Sequence, residues 1–575
     1  MIKVRGLSGV GLLLILTSIA HLPGGFFHWA FDRNALPQFI CLVILASYCG
    51  AQLIFRAKLI RLPVSLSIIL VLLLISTATS LVTGGNFYTG LTGDAGRFTG
   101  LTSLFALAII AVWAGQQNSE QWNRLFPYIL IAVLAVDLLG FGQSLHLFVL
   151  PGDGGIGSTL GNLDFLSAWM GTSTALFFAH RASNGWIQAG RLIMLALVLV
   201  TLFRIGAKQG LFDFILLIPF LAIYKFRSKL LQIRLSQGFW TSIVSVLLIM
   251  WCEIIYLTPM ANLSIPGIAG DSNVNIRADF WFSGISMFFK NIFFGVGPDN
   301  YGYYYEQFRS LNSVKTAESV ITNDAHSAMV QTFATLGLVS VILFIVLMVY
   351  LVRAFVRLIA ERPESRRFHS ILAVFTFIFL TNSLISPITL PNKAIFWLIS
   401  GYVITQGALR NSAERSVLKK SMIGLLVVVS LWVSVGTGYA FTRLNLADDA
   451  AHKNQKVSYS FSPYLPCVLY FAKQIDLSVK AGLDPNEIAT KQVSVNPRCL
   501  DAQLYLANSY LSKKEISKAR APIYALLEIA PARKEIVRLA AIYAIQAKDK
   551  VLQKRIAAVG LHLIYDKKSG KILIS

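Results

Sequence analysis

Charged residues are scarce in this sequence. Only 14% of the 575 residues are Asp, Glu, Lys or Arg, whereas a soluble protein of this size carries roughly a quarter. Hydrophobic residues make up 55% of the chain. Uncharged apolar stretches about as long as a bilayer is thick occupy residues 62–83, 98–114 and 421–441. The composition excludes an ordinary soluble globular protein and predicts a membrane protein.

Acidic residues are especially few, since 28 Asp and Glu stand against 51 Lys and Arg and leave a net charge of +23. Such an excess also occurs in nucleic-acid-binding proteins. Here the basic residues cluster in short loops between apolar stretches, in residues 56–61, 225–234, 353–367 and 410–420. This is the positive-inside pattern that orients a membrane protein. We therefore expect the membrane as a partner and no nucleic acid.

Cysteine is also rare. Five cysteines are too few for a disulfide scaffold. Cys467 and Cys499 share the C-terminal part of the chain, and the sequence leaves open whether they pair. No cluster of His, Cys, Asp and Glu has the spacing of metal ligands, so we expect neither a metal nor another cofactor.

The apolar stretches predict an all-α, polytopic membrane protein of about thirteen transmembrane helices. The N-terminus, with Lys3 and Arg5, is expected in the cytoplasm, and an odd number of spans then places the C-terminal part outside. The predicted spans are residues 6–22, 36–55, 62–83, 98–114, 125–145, 163–180, 190–204, 210–224, 239–257, 326–351, 369–387, 393–409 and 421–441.

Two domains are predicted. Residues 1–444 form the transmembrane domain and include a large outer loop, 258–325, in which residues 276–294 are expected to lie as an amphipathic helix on the membrane surface. Residues 445–575 form a helical domain. Its prolines at 463, 497 and 531 are 34 residues apart, which is the tetratricopeptide period. Such a module binds a protein partner or caps the membrane domain, and both interpretations are open.

Four cations on the expected outer side are candidates for a binding site: Arg97, Arg204, Lys208 and Arg277. Arg204 and Lys208 share a turn that is too short to reach far into water, and charge at this depth usually has a partner or a ligand. The four residues would make an anion site if they converge, and a lipid-linked diphosphate would fit it. Snorkelling to lipid headgroups is the alternative. His326, at the start of a predicted span, is suited to face the same cavity.

Several segments, in chain order, resemble the O-antigen ligase/polymerase superfamily of membrane glycosyltransferases. Lys208 replaces the usual arginine of a Ser-Arg-Gly turn, Ser327 replaces the asparagine of a His-Asn pair, and Leu163 and Asp164 depart from a Gly-Asn-Pro-Asn segment. The segments are Arg97 with Gly100, residues 157–166, residues 207–210, Arg277 with Trp281 followed by residues 295–300, and residues 324–331 with Gly337.

The resemblance implies a bacterial inner-membrane enzyme that transfers a glycan from undecaprenyl diphosphate to an acceptor hydroxyl in the periplasm. Transfer would proceed with inversion and without a metal. The four cations would bind the diphosphate and offset its growing charge. His326 would be the catalytic base, with Asp324, Asp299 and Asp94 as competitors.

The acceptor stays open between a glycolipid in an O-antigen ligase, a growing glycan in a polysaccharide polymerase, and a protein in a protein O-oligosaccharyltransferase. The helical C-terminal part resembles the arrangement in enzymes of the last kind. Outside the enzymes, a transporter of lipid-linked glycans is the main alternative, although the sequence shows no repeated halves. A membrane scaffold would leave the outer cations unexplained.

Overall fold

The apolar stretches fold as helices in a computed structural model of the chain. The structure describes residues 2–22, 32–57, 60–150, 156–179, 184–206, 209–213, 272–310, 313–314, 321–408, 418–468, 470–557, 563–566 and 571–574. The helices are α1 (Ile2–Ile19), α2 (Asp32–Phe55), α3 (Val64–Thr83), α4 (Phe87–Thr92), α5 (Leu101–Gly115), α6 (Ser119–Ser144), α7 (Leu163–Ser173), α8 (Gly185–Ile205), α9 (Ser272–Lys290), α10 (Tyr301–Phe308), α11 (Ala328–Glu361), α12 (Arg366–Ile385), α13 (Leu390–Ala408), α14 (Lys420–His452), α15 (Phe471–Lys480), α16 (Pro485–Val495), α17 (Leu500–Ser512), α18 (Ile516–Ile529), α19 (Lys534–Gln546) and α20 (Lys550–Ala557).

The helical fold class is confirmed for the body of the chain. Two four-residue strands near its end, β1 (Leu563–Asp566) and β2 (Lys571–Ile574), pair antiparallel. Within the described residues, seven helices are long and apolar enough to cross a membrane, namely α2, α3, α6, α8, α11, α12 and α14. The count of thirteen stays a prediction. The predicted span 239–257 and all but the first residues of 210–224 lie outside the described residues.

One predicted span differs in form. Within the predicted span 163–180, residues 163–178 fold as the 11-residue α7 and a 3-10 turn over Thr174–Phe178. The hydroxyl groups of Ser173 and Thr174 donate to the backbone carbonyls of Trp169 and Met170 (2.6 and 2.5 Å). Hydroxyls that bond back to the preceding turn compete with the helical backbone pattern, which accounts for the tightening at this point.

Helix α5 lies at the centre of the bundle, between α2 and α13. All of its residues except Leu104 are buried, as expected for a helix that is apolar on every face. Close approach to α13 depends on small residues, because a Cβ at Gly401 would lie 2.1 Å from the carbonyl oxygen of Ala111. Small residues at such crossings are typical of helix packing in membranes.

A stripe of apolar side chains on α14 faces outward. Leu425, Val428, Trp432, Val435 and Tyr439 are each more than 60% exposed and recur at helical spacing, so they form one continuous face. A large exposed apolar face marks contact with a membrane or a partner. Its position on a helix of spanning length indicates contact with lipid.

Helix α11 is broken at Gly337, where φ is +72°. The break withdraws backbone partners from the carbonyl groups of the preceding turn. Val296 and Gly297 replace them, since their N–H groups donate to the carbonyls of Ala334 and Thr335 (2.9 and 3.0 Å). Unpaired backbone groups at membrane depth are costly, so this joint holds residues 295–297 firmly against α11.

The C-terminal part of the chain is a series of short helices, α15 to α20, packed mainly on their neighbours in sequence. Helix α14 continues to His452, past the predicted domain boundary at residue 444. An ion pair between Asp448 and Lys473 joins α14 to α15, and Cys467 is bonded to Cys499. The division into two domains and the tetratricopeptide assignment stay predictions.

The α11 joint predicts a strong effect of Gly295→Ala. Gly295 has φ +66°, and a Cβ there would lie 2.3 Å from the backbone of Thr335. The backbone conformation alone costs about 1–3 kcal/mol for a residue other than glycine. We expect a clearly lower melting temperature in detergent. Gly190→Ala is the control, because α8 is exposed there and no atom lies within 4 Å of the new Cβ. An unchanged melting temperature for Gly295→Ala would contradict the role of the joint.

Candidate functional site

Asp299 holds the loop that carries Arg97. Its carboxylate accepts hydrogen bonds from the backbone N–H groups of Asp94 and Thr99 (2.8 and 3.2 Å) and from the Thr99 hydroxyl (2.8 Å). Asp299 itself is 5% exposed. It lies two residues after residues 295–297, the glycine segment, which is hydrogen-bonded to α11 at the break. Burial raises the pKa of Asp299, against which the hydrogen bonds from Asp94 and Thr99 act. The position of Arg97 is therefore set through Asp299.

Arg97 lies between a carboxylate and an aromatic ring. One guanidinium nitrogen is 4.0 Å from Oδ2 of Asp324, and the guanidinium carbon is 5.4 Å from the ring centroid of Phe165. A second contact joins the same two loops, since Nδ2 of Asn323 donates to the carbonyl of Ala95 (3.2 Å). Arg97 and the segment before α11 are thus parts of one assembly.

His326 lies in the loop just before α11, outside the helix. Its backbone has φ +50°, and its N–H donates to Oδ1 of Asp324 (2.7 Å). Gln331 reaches back from the first turn of α11 and accepts from the N–H of Ala325 (2.9 Å). The imidazole rests against Phe280 of α9, with ring centroids 5.3 Å apart. The imidazole is therefore held in a defined place.

Burial lowers the pKa of His326 to about 4. The positive charges of Arg97 and Arg277 act in the same direction, whereas Asp324 acts against them. The ring is consequently neutral at physiological pH. Its Nδ1 atom is buried and has no hydrogen-bond partner among the described residues. A neutral imidazole can accept a proton, which is what a general base requires.

Arg277 on α9 completes the arrangement from the other side. Its guanidinium lies 3.7 Å from the carboxylate of Asp164 in the first turn of α7. The loop before α7 is fixed from two helices. Gln38 of α2 donates to the carbonyl of Thr159, and Gln143 of α6 accepts from the N–H of Ser158 (2.6 Å each). The carboxylate that pairs with Arg277 thus follows a firmly held loop.

The structure also adds Lys393, which the sequence analysis did not select. It lies in the first turn of α13 and interacts electrostatically with Asp299, Asp324 and Arg97. Lys393 begins a predicted span on the expected outer side, so the criterion that selected Arg97 would also have found it. We call Arg97, Arg277, Asp299, Asp324, His326 and Lys393 the charged cluster.

The predicted site residues do not all meet. Arg97, Arg277 and His326 are brought together. Arg204, in the last turn of α8, donates from Nε to the carbonyl of Ser144 at the end of α6 (2.8 Å). Within the described part of the chain, its contacts do not connect it with the charged cluster. Lys208 lies outside the described residues.

Two of the three alternative bases are already engaged, and the third is buried. The carboxylate of Asp299 accepts three hydrogen bonds within the loop that it holds. The carboxylate of Asp324 accepts from the N–H of His326 and faces Arg97. The backbone of Asp94 is fixed by Asp299, and its side chain is 1% exposed. His326 is therefore the strongest candidate base. Among the described residues, no three His, Cys, Asp or Glu side chains are grouped to hold a metal ion.

Residues 167–345 match the family model described as O-Antigen ligase. Over this segment, the chain is similar to the O-antigen ligase family. This finding confirms the resemblance to that superfamily and supports a glycosyltransferase-like function in polysaccharide assembly, in a multi-pass membrane protein. The O-antigen ligase segment contains Arg277 and His326, whereas Arg97 and Lys393 lie outside it. No curated protein sequence matches the chain.

The role of Asp299 can be tested without an activity assay. In Asp299→Ala, the N–H groups of Asp94 and Thr99 lose an ionised acceptor, and hydrogen bonds to charged groups are worth about 1.5–3 kcal/mol. We expect both amides to exchange about ten- to hundredfold faster in hydrogen–deuterium exchange. Asp164→Ala, which removes an exposed carboxylate, is the control and should leave residues 93–100 protected. Equal protection in both variants would show that Asp299 does not hold the loop.

Proposed function

We propose that this protein transfers a glycan from an undecaprenyl-diphosphate carrier to an acceptor hydroxyl at the periplasmic face of the bacterial inner membrane. The observation that carries the proposal is the charged cluster. It combines a fixed, neutral histidine with the arginines Arg97 and Arg277. The O-antigen ligase match over residues 167–345 supports the same class of chemistry.

In this proposal, His326 takes the proton from the acceptor hydroxyl. The acceptor oxygen then attacks the anomeric carbon of the donor sugar from the face opposite the diphosphate. As the new carbon–oxygen bond forms, the bond from that carbon to the diphosphate oxygen breaks, and the diphosphate leaves with the electron pair. The anomeric configuration is inverted. The proton on the imidazole is afterwards lost to water.

The cations offset the charge that grows on the leaving diphosphate. Preorganised positive groups in a partly dry site stabilise such charge strongly, and this leaves no step that requires a metal. Arg97 and Arg277 are suited to bidentate phosphate contacts, and Lys393 adds a compact charge. Arg204 and Lys208 are proposed to extend this site from the turn after α8, where Lys208 would act as a point charge.

The orientation rests on two observations. His326 precedes one end of α11, and five arginines lie at the other end of that helix and in the turn to α12, as is typical of a cytoplasmic side. These are Arg353, Arg357, Arg362, Arg366 and Arg367. The bond between Cys467 and Cys499 supports an oxidising compartment for the C-terminal part. Both support a periplasmic location for the proposed transfer.

For the acceptor, we propose a glycolipid, as in an O-antigen ligase. A growing polysaccharide or a protein would use the same chemistry, and the helical C-terminal part could hold a protein partner. The difference lies in which hydroxyl reaches His326. Offering a glycolipid, a second lipid-linked glycan and a folded protein in parallel would decide among them.

The first test measures release of the lipid diphosphate by purified protein from a labelled undecaprenyl-diphosphate glycan, with EDTA present and these acceptors offered. We expect release by the wild type and at least a hundredfold loss in His326→Ala and His326→Asn, because removing a general base costs about 10²–10⁴-fold. His146→Asn is the matched control. His146 is an exposed histidine with a similar backbone angle (φ +58°), and asparagine tolerates such angles.

Normal release by His326→Asn would remove the proposed base. If the wild type released no diphosphate with any acceptor but moved the lipid across proteoliposomes, the transporter interpretation would replace transfer.

The low pKa of His326 predicts an unusual acid limit. A base works only when it is unprotonated, so activity falls as pH drops through the pKa of the free enzyme, which kcat/KM reports. We expect kcat/KM to stay level from pH 8 down to about 5 and to fall by half near pH 4, since the pKa of His326 is about 4. A decline centred near pH 6.5, the usual value for histidine, would show that the imidazole is solvated.

A further inference from the structure

Helix α10 contacts two parts of the charged cluster, the loop that carries Arg97 and helix α9, which we call its two arms. It begins at Tyr301, two residues after Asp299, which holds the Arg97 loop. The hydroxyl of Tyr301 donates to the carbonyl of Phe280 (2.5 Å) on α9, the helix that carries Arg277 and supports the imidazole. The hydroxyl of Tyr304 donates to the carbonyl of Gly84 (3.1 Å) at the end of α3. A displacement of α10 would therefore reach both arms at once.

Arg498 of the C-terminal part is bound to this helix. Its Nε donates to the carbonyl of Tyr303 (3.0 Å), and Nη2 donates to the side-chain oxygen of Gln307 (2.8 Å). The guanidinium lies over the ring of Tyr304, with its carbon 3.8 Å from the ring centroid. A planar, multidentate contact of this kind fixes orientation as well as distance.

A second contact between α10 and the C-terminal part of the chain is apolar. Tyr303 is 4% exposed, and its side chain is enclosed by residues of the C-terminal part, among them Phe471, Cys499 and Leu506. A short helix of eight residues has little stability of its own. The position of α10 therefore depends on the surface that encloses Tyr303 and binds its carbonyl.

The disulfide makes this surface rigid. Cys499 follows Arg498 directly, and its bond to Cys467 closes a loop with a sequence separation of 32 residues. Both cysteines belong to the cluster around Tyr303. Reduction would free the backbone beside Arg498 from this constraint.

We propose that Arg498 is a positioning residue for the transfer reaction. It acts through α10 on Asp299 and Phe280, and the Cys467–Cys499 disulfide makes this positioning sensitive to redox conditions. The inference rests on the proposed function for its effect on activity, and on the structure alone for its effect on the Arg97 loop.

The test compares full-length wild type with Arg498→Ala, Arg498→Lys and Arg538→Ala. Arg538 is an exposed arginine of α19 and serves as the matched control. We expect kcat of Arg498→Ala to fall about ten- to hundredfold, as for a small misplacement of reacting groups, with a smaller change in KM for the donor. Arg498→Lys should recover part of the loss, and Arg538→Ala should match the wild type.

Hydrogen–deuterium exchange supplies a readout that needs no transfer. In Arg498→Ala, residues 93–100 and 301–308 should exchange faster, while α17 to α19 keep their protection. The double variant Cys467→Ser/Cys499→Ser and the reduced wild type should show the same change in a weaker form. If Arg498→Ala does not fold, the double cysteine variant and the reduced wild type test whether the C-terminal part positions the Arg97 loop.

The outcomes separate the two proposals. Unchanged exchange at residues 93–100 in every variant, together with wild-type kcat, would overturn the positioning role and leave the transferase intact. A wild type without transfer activity but with the expected exchange pattern would overturn the function and retain the coupling. Loss of protection throughout α15 to α19 in Arg498→Lys would show that Arg498 only stabilises the C-terminal fold.

Discussion

A backbone carbonyl group inside a membrane protein needs a donor, and the break in α11 leaves two of them to be satisfied. Val296 and Gly297 supply the N–H groups, and the Ser80 hydroxyl is a second donor to the carbonyl of Thr335 (2.8 Å). This requirement fixes the glycine segment against α11. That segment fixes the position of Asp299, and Asp299 in turn fixes the Arg97 loop. The geometry of the charged cluster thus depends first on hydrogen bonds to backbone carbonyl groups and only then on charge.

The charges of the cluster are balanced when Asp164, the partner of Arg277, is counted with it. Arg97, Arg277 and Lys393 face Asp164, Asp299 and Asp324, three cations against three carboxylates. Buried charges are tolerated only when they are paired and hydrogen-bonded, so this balance lets the cations stay close together before any substrate arrives. A diphosphate would compete with the carboxylates for the same guanidinium groups. Asp164, which is about half exposed, is the partner that can give way most easily.

The sequence predicted the helices, the outer cations and the histidine, because apolar length and charge placement are local properties. Lys393 was missed although its position resembles that of Arg97. The role of Asp299 could not be found, since its hydrogen bonds reach residues about 200 positions earlier in the chain. The break at Gly337 was hidden within an apolar run, because a single glycine does not show whether a distant segment will supply the missing donors. Arg204 was grouped with the others from its expected side and depth in the membrane, and neither property specifies which residues it contacts.

The contact between Arg498 and Tyr303 joins residues 195 positions apart. Six of the described helices, α11 to α16, lie between them in the chain. The ribosome therefore completes Asp299 and α10 long before it adds Arg498, which binds α10. A nascent or prematurely terminated chain that ends before residue 498 contains the glycine segment and α10, yet it lacks the contacts of Arg498 with α10. Synthesis of the last segment thus becomes the final step in assembling the contacts around α10.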